Sequence, residues 1–275
     1  MDGEYLQTAR AFDAVAGGYD AAYGPEGNAV MGWLRQESVA LLQETFPPGS
    51  RLLEIGCGTG EEALVLARGG RTVLATDVSP GMAARTLAKA RAAGLADRVT
   101  ALALPAGRLG ALHPPLPFDG AYASFGGLNC EPDLAGLAGA LVRLLRPGAA
   151  FVCSVMARCC PFEIGWFLVH GRPRAAFRRL RRGWRPAPVA SPAGVRVTVP
   201  VRYLSVKDVA TAFAPAFALD RALSLPLLLP PPYLDDLFRE RRALFSRLEG
   251  VERRLRERWP WRLFGDHVAL VLRKE

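Results

Sequence analysis

Gly56, Gly58 and Gly60 alternate along a stretch that follows Leu52-Leu53-Glu54-Ile55 and precedes a helix-like run from Glu61 to Arg68. Glycine turns the backbone sharply and lets it approach a ligand that any Cβ would push away. The free N–H groups of a helix starting near Gly60 would point at the same place. Val73-Leu74-Ala75-Thr76 then runs into Asp77. An acid at the end of that second strand, about twenty residues past the first glycine, is placed to accept hydrogen bonds from both hydroxyls of a ribose. The combination suits a nucleoside-like ligand. The third glycine falls one residue early for the G-x-G-x-x-G of a dinucleotide site, and no Gly-Lys-Ser/Thr follows to make a phosphate-cradling loop.

Glu54-x-Gly56-x-Gly58-x-Gly60 resembles the first motif of class I S-adenosylmethionine-dependent methyltransferases of the small-molecule type. Ser79-Pro80, an N-cap followed by proline at the first helical position, extends the likeness. So does Arg146-Pro147-Gly148 after Leu145, read as ending the fourth helix before strand five. Phe12-Asp13-Ala14-Val15-Ala16-Gly17-Gly18-Tyr19-Asp20 resembles the F-D-x-x-A-x-x-Y-D stretch that precedes this fold. The resemblance implies S-adenosyl-L-methionine as cofactor and S-adenosyl-L-homocysteine as product. It implies cofactor contacts at Tyr19, Glu54, Gly56, Cys57, Gly58, Gly60, Asp77, Val78, Met82, Ala106 and Ser124. One departure stands out. The family's adenine-binding acid after strand three falls here at Leu104-Pro105-Ala106, with no carboxylate, which leaves backbone and apolar packing to hold the base.

Methyl transfer is an in-line displacement, so the protein mainly positions two reactants. An oxygen acceptor also gains from a general base, most often histidine. Of His113, His170 and His267, the first sits in a Pro-rich loop, while His170 in the expected cap and His267 beside Asp266 are the catalytic candidates. Asn129 and Glu131 follow strand four, where acceptor-facing residues of the family lie; Trp166 and Tyr233 join them from the cap as expected acceptor contacts. The strand-four loop Gly126-Gly127-Leu128-Asn129-Cys130 is not the Asn/Asp-Pro-Pro-aromatic loop of nucleic-acid amino-methyltransferases, and Pro231-Pro232-Tyr233 comes far too late to serve as one. Cys130 lacks the neighbouring proline of a cytosine-C5 nucleophile. The resulting expectation is O-methylation of a small organic molecule in secondary or lipid-related biosynthesis, with no metal site. An RNA or protein methyltransferase using the Arg-rich surface, or a non-catalytic cofactor-binding scaffold, are the alternatives.

Apolar runs alternating with amphipathic helices position these residues. Strands are expected near 51–55, 72–76, 98–103, 118–124 and 149–156, and helices near 60–68, 80–93 and 133–145. Ser205-Val206-Lys207-Asp208 is a capping box, Phe217–Leu225 a sixth strand, and Val268–Leu272 a last, antiparallel one. The fold class is α/β, a Rossmann-like doubly wound seven-stranded sheet. Residues 1–48 form an N-terminal helical segment; 49–156, 204–225 and 261–275 form the core. Residues 157–203 and 226–260 are insertions that leave from the cofactor edge and form a helical and β cap over the acceptor pocket.

Composition narrows the setting. The 275 residues are half hydrophobic and 22% charged, a globular balance. The acidic start Met1-Asp2-Gly3-Glu4-Tyr5 is not a signal peptide, and five cysteines without framework spacing suit a reducing cytosol, so a cytoplasmic location is expected. The net charge of +9, carried almost wholly by arginine, suits an anionic partner or a plain compositional bias, and the bias is preferred. Phe162–His170 followed by seven arginines from Arg172 to Arg185 would suit a membrane surface, a lipophilic acidic acceptor or a solvated cap helix, the last being preferred.

Overall fold

A computed structural model describes residues 3–24, 26–189 and 197–275. Its strands are β1 (Arg51–Ile55), β2 (Thr72–Asp77), β3 (Val99–Ala103), β4 (Phe118–Ala123), β5 (Leu145–Met156), β6 (Arg185–Val189), β7 (Val197–Val201), β8 (Phe217–Leu225) and β9 (His267–Lys274). Seven of them make one sheet in the order β3-β2-β1-β4-β5-β9-β8. The pairs among β1 to β5 are parallel, and β9 runs antiparallel to both β5 and β8. The expected Rossmann-like sheet with an antiparallel last strand is therefore present. Its order reverses between β1 and β4, the switch point where such sheets open a crevice beyond their strand ends.

The middles of the strands are apolar at successive positions because the sheet is covered on both sides. Leu52, Val73, Tyr122, Val152, Leu223 and Val271 face one core, while Leu53, Ile55, Ala121, Phe151, Val155 and Leu270 face the other. Successive side chains point to opposite faces, and both faces are covered, so neither parity can be polar. Helices α3 (Ala29–Thr45), α4 (Glu61–Arg68) and α5 (Pro80–Ala92) supply apolar side chains to the first core, and α6 (Leu134–Leu144) and α9 (Val206–Phe213) to the second. Both halves of the capping box that opens α9 are made.

One boundary differs from expectation. Arg146-Pro147-Gly148 lies within β5 and not in the preceding helix. Leu145 is already extended and pairs with Phe118, after which the register shifts to Gly120 opposite Ala150. Gly148 at φ 72° takes up that turn in the chain.

Residues 226–260, expected over the acceptor pocket, pack beside the first core. They carry α10 (Asp235–Glu240) and α11 (Arg242–Leu255). Leu229, Phe238 and Phe245 are nearly fully covered there. Asn28 Nδ2 donates to Pro232 O at 2.9 Å and Val30 N to Asp235 Oδ1 at 3.0 Å, joining the segment to the start of α3. Of the other insertion, α7 (Pro161–Val169) and α8 (Pro173–Ala176) stay on the outside, and the antiparallel pair β6–β7 reaches the crevice.

Candidate active site

The loop after β1 carries the cradle. Gly56, Gly58 and Gly60 all take positive φ (72°, 53° and 81°). At Gly60 an added Cβ would lie 2.6 Å from Thr86 Cγ2, so that glycine is demanded by packing as well as by φ. At Gly58 the nearest atom to an added Cβ is Tyr19 Cε1 at 3.9 Å, which leaves the space above its backbone for a ligand. Asp77, at the end of β2, accepts from Gly58 N through Oδ2 and from Ser79 N through Oδ1, both at 2.8 Å. Burial pushes its pKa up to about 6 against the opposing pull of those two N–H groups.

The N-terminal helices fasten over this loop. Asp13 in α1 (Gly3–Val15) accepts from Ser79 Oγ and, at 2.9 Å, from Gly81 N. Asp20 in α2 (Tyr19–Tyr23) accepts from Thr59 Oγ1 and pairs with Lys89 at 3.1 Å. The two aspartates of the Phe12–Asp20 stretch thus tie α1 and α2 to α5 and to the glycine loop. The ties bring Phe12 and Tyr19, whose rings meet edge to face at 6.4 Å, over the crevice.

Beneath them is a cavity of about 240 Å³. One end is lined by Gly56, Cys57, Gly58, Asp77, Val78 and Ala106, together with Tyr19, Ser124 and Phe125. The other end is lined by Tyr5, Thr8 and Phe12 of α1, Glu131 after β4, Met156 of β5, and Val189, Val199 and Val201 of β6–β7. Eight of the eleven residues expected around the cofactor therefore share the cavity. The other three lie behind it. Glu54 is buried beneath the loop, and burial together with the nearby Glu62 carboxylate raises its pKa well above the usual range. Gly60 packs on Thr86, and Met82 packs with Val15 and Ala16 under α1.

Arg35, not singled out from the sequence, is the one cation in this lining among the described residues. It pairs with Glu62 in the first turn of α4 and stacks over Phe125 at 5.5 Å, while its buried Nε has no partner. Only its position seven residues into a helix, facing a loop far away in sequence, could have marked it.

The acceptor-side residues are distributed differently from expectation. Glu131 lines the cavity, accepting from the Tyr5 hydroxyl at 2.7 Å and from Asp133 N at 3.0 Å through Oε1. Burial raises its pKa, and those two donors only partly offset the rise. Thr8 Oγ1 is buried in the lining with no partner. Asn129 is instead consumed by the scaffold: Nδ2 donates to Met156 O and Arg202 O, and Oδ1 accepts from Met156 N. Trp166 lies against exposed His170 with ring centroids 4.0 Å apart and tilted by 39°, outside the cavity lining. His267 opens β9 behind Phe125, which meets it edge to face at 6.0 Å, and its Nδ1 lies 2.8 Å from Asp266 Oδ2. Tyr233 donates to Glu163 at 2.8 Å in a buried ion cluster. No histidine lines the cavity among the described residues. Burial also pushes the Cys130 thiol up to about 12, so it stays protonated and is no nucleophile at neutral pH. Among the described residues no group of three His, Cys, Asp or Glu is placed to share a metal ion, and no helix is long and apolar enough to cross a membrane.

Sheet order, glycine loop and strand-end acid together give the chain the fold of class I S-adenosylmethionine-dependent methyltransferases. Residues 52–148 match the family described as a methyltransferase domain. Several curated proteins align with part of the chain, among them two that carry a functional name. A demethylmenaquinone methyltransferase of Symbiobacterium thermophilum is 30% identical over 152 residues, 52% of this chain and 56% of that one. An S-adenosyl-L-methionine-dependent Diels-Alderase of Talaromyces variabilis is 34% identical over 133 residues, 47% of this chain and 40% of that one. The chain thus spans about half the length of the curated relatives it matches. The solved CcbJ methyltransferase of Streptomyces caelestis is similar over 96% of this chain and 97% of its own, with a TM-score of 0.63 at 18% identity, a likeness of fold.

Proposed function

We propose that this protein is an S-adenosylmethionine-dependent methyltransferase acting on a small organic acceptor. The observation that carries the reading is one cavity with two unlike ends: a glycine cradle with a strand-end acid, and an apolar chamber with a buried carboxyl–phenol pair. When bound, S-adenosylmethionine supplies an electrophilic methyl group on a sulfonium.

The residues present fit that group. Asp77 would accept from the ribose hydroxyls, and Gly56 and Gly58 leave room for the backbone to approach. Val78, Leu104 and Ala106 offer apolar contact and backbone to a base, replacing the missing acid. Arg35, with its unpartnered Nε, faces the end where an amino-acid carboxylate would need a cation. Tyr19 and Tyr23 line the same end, and a sulfonium would be attracted to their ring faces.

At the other end, Phe12, Met156, Val189, Val199 and Val201 exclude water and hold an apolar acceptor. Glu131 is the group placed to take a proton from an acceptor hydroxyl, and Tyr5 orients it by donating to Oε1. This gives Glu131, and not His267 or His170, the general-base role in an oxygen methylation. The relatives' names include both methyl transfer and a cycloaddition, so binding and transfer must be measured separately.

Calorimetric titration with S-adenosylmethionine and S-adenosylhomocysteine, for the wild type and Asp77→Ala, tests the first end. Saturable binding weakened by the substitution supports it; no binding by the folded protein removes it. Release of S-adenosylhomocysteine across a panel of apolar phenols, alcohols and amines then tests transfer. Binding without release from any acceptor would favour the non-methylating reading.

A further inference from the structure

We propose that residues 168–184 form a docking surface for an anionic lipid bilayer. The positive charge of this protein is segregated. Residues 164–207 contain nine arginines and Lys207 and not one Asp or Glu. Of the chain's 35 cationic residues, 25 remain outside that stretch against all 26 acids, so the segment carries the whole positive excess. A general bias toward arginine would not remove every acid from 44 consecutive residues.

The structure shows what accompanies the charge. Glu163, just before the acid-free stretch, is buried and holds its helix to the turn after α8. It accepts from Arg178 at 2.9 and 3.0 Å and from Arg179 at 3.0 and 2.6 Å. Arg172 and Arg178 stack on Phe167 at 5.3 and 5.6 Å. These ties make 161–180 one compact unit. The outward side chains of this unit and of the turn that follows it to Trp184 are apolar to an unusual degree. Val169 is 86% exposed, and Leu168, Phe177, Leu180 and Trp184 are each 45–46% exposed. Exposed Arg172, Arg174, Arg181 and Arg182 are interleaved with them.

The chemistry selects among partners. Aliphatic side chains standing in water beside arginines suit the boundary between lipid headgroups and acyl chains, where the apolar tips enter and the guanidinium groups pair with anionic headgroups. A nucleic acid would satisfy the arginines but would leave Leu168, Val169 and Leu180 without an apolar environment. A second copy of the chain would bring the same positive charge against itself. Trp184 immediately precedes β6, whose Ala187 and Val189 line the cavity, so the surface adjoins the acceptor wall. The proposal stands independently of the methyl-transfer reading.

Vesicle flotation of the full chain tests it, with phosphatidylcholine alone and with phosphatidylcholine mixed with phosphatidylglycerol. Far-UV circular dichroism would confirm the fold of every variant. The wild type is expected to float with the anionic vesicles only, and less so as salt is raised. Arg181→Glu with Arg182→Glu is expected to weaken that binding at least about tenfold. Leu168→Ser with Val169→Ser is expected to weaken it about tenfold while leaving the salt dependence in place. Equal flotation with both vesicle types, flotation with neither, or indifference to the arginine reversals overturns the proposal. Tighter binding of single-stranded RNA than of anionic vesicles overturns it in favour of a nucleic acid.

Discussion

The Tyr5 hydroxyl donates to Glu131 Oε1 at 2.7 Å, joining residues 126 positions apart in the wall of the cavity. The bond stabilises the charged form of Glu131, whereas burial disfavours it, and burial dominates. If Glu131 accepts the acceptor's proton, activity must rise with pH as this carboxyl ionises, above the ordinary carboxylate range. Glu131→Gln should lower kcat about a hundredfold or more, abolish that acid limb and leave S-adenosylmethionine affinity unchanged. Tyr5→Phe removes the stabilising donor, so the limb should move to higher pH. A pH–rate profile of Glu131→Gln that keeps the wild-type limb would remove Glu131 from this role.

Asp77 makes a second pH prediction, this one for stability as well as binding. Its folded pKa of about 6 lies above the value of an unfolded aspartate. The stability associated with this group is therefore fully present below the unfolded pKa and is lost as pH rises through about 6. That difference from an unfolded aspartate is worth about 3 kcal/mol. Asp77→Asn does not titrate, so the ligand-free variant should gain on the wild type in Tm between acid and neutral pH. Binding should show the reverse, because only the carboxylate accepts from two hydroxyls well. S-adenosylhomocysteine affinity of the wild type should increase as pH rises through the same range, and that of Asp77→Asn should stay flat. A parallel pH dependence of Tm in both proteins would contradict the burial argument.

The fold was legible because its signals are periodic. Strands buried on both faces read as short apolar runs, and Asp13, Tyr19 and Asp20 stand in a spacing the structure uses to fasten α1 and α2. The site was legible where backbone chemistry demands a residue type, at Gly56, Gly58 and Asp77. It was much less so where long-range packing decides. In β6 the prolines at 186 and 188 remove two N–H donors, so Arg-Pro-Ala-Pro-Val does not look like a strand. Its pairing with β7 nevertheless supplies the apolar acceptor wall. His267 and Asn129 looked chemical because of their residue types, but one lies behind Phe125 and the other is used up by three backbone bonds. The arginine run after Phe162–His170 is plain in the sequence, but which of its apolar side chains stay exposed depends on how Glu163, Arg178 and Arg179 hold the segment together.

Gly60 should tolerate no side chain. It caps α4 at φ 81°, where an L-residue costs about 1–2 kcal/mol. A Cβ would also meet Thr86 Cγ2 at 2.6 Å and Oγ1 at 2.9 Å. Gly60→Ala should therefore destabilise by about 2–4 kcal/mol, strain and overpacking combined. Adding Thr86→Ala removes both close atoms but not the φ strain, so the double variant should recover part of the loss and not all of it. Urea denaturation of the four proteins of this cycle measures the coupling. Simple additivity of the two substitutions would mean that Thr86 does not constrain the turn.

The cluster around Arg179 should be the most sensitive buried electrostatic element. Arg179 donates to Glu163 Oε2 and to Asp266 Oδ1, each at 2.6 Å, and to Asp266 O at 3.0 Å. Arg179 and His267 outweigh burial and hold the Asp266 carboxyl well below the usual range. A depressed carboxylate contributes stability above its unfolded pKa and loses it as pH falls through the folded one. Arg179→Met leaves Asp266 with its 2.8 Å neighbour His267 alone and deprives Glu163 of one of its two arginines. The expected loss is about 3–5 kcal/mol near neutral pH, since removing one partner strands buried charge. It should shrink on acidification, because the unpaired Asp266 can then take up a proton. Adding Asp266→Asn to Arg179→Met should restore part of the stability at neutral pH and remove the extra pH dependence. Denaturant midpoints for the single and double variants at neutral and acid pH test this, and an Arg179→Met loss that does not change with pH would mean the side chain acts through packing alone.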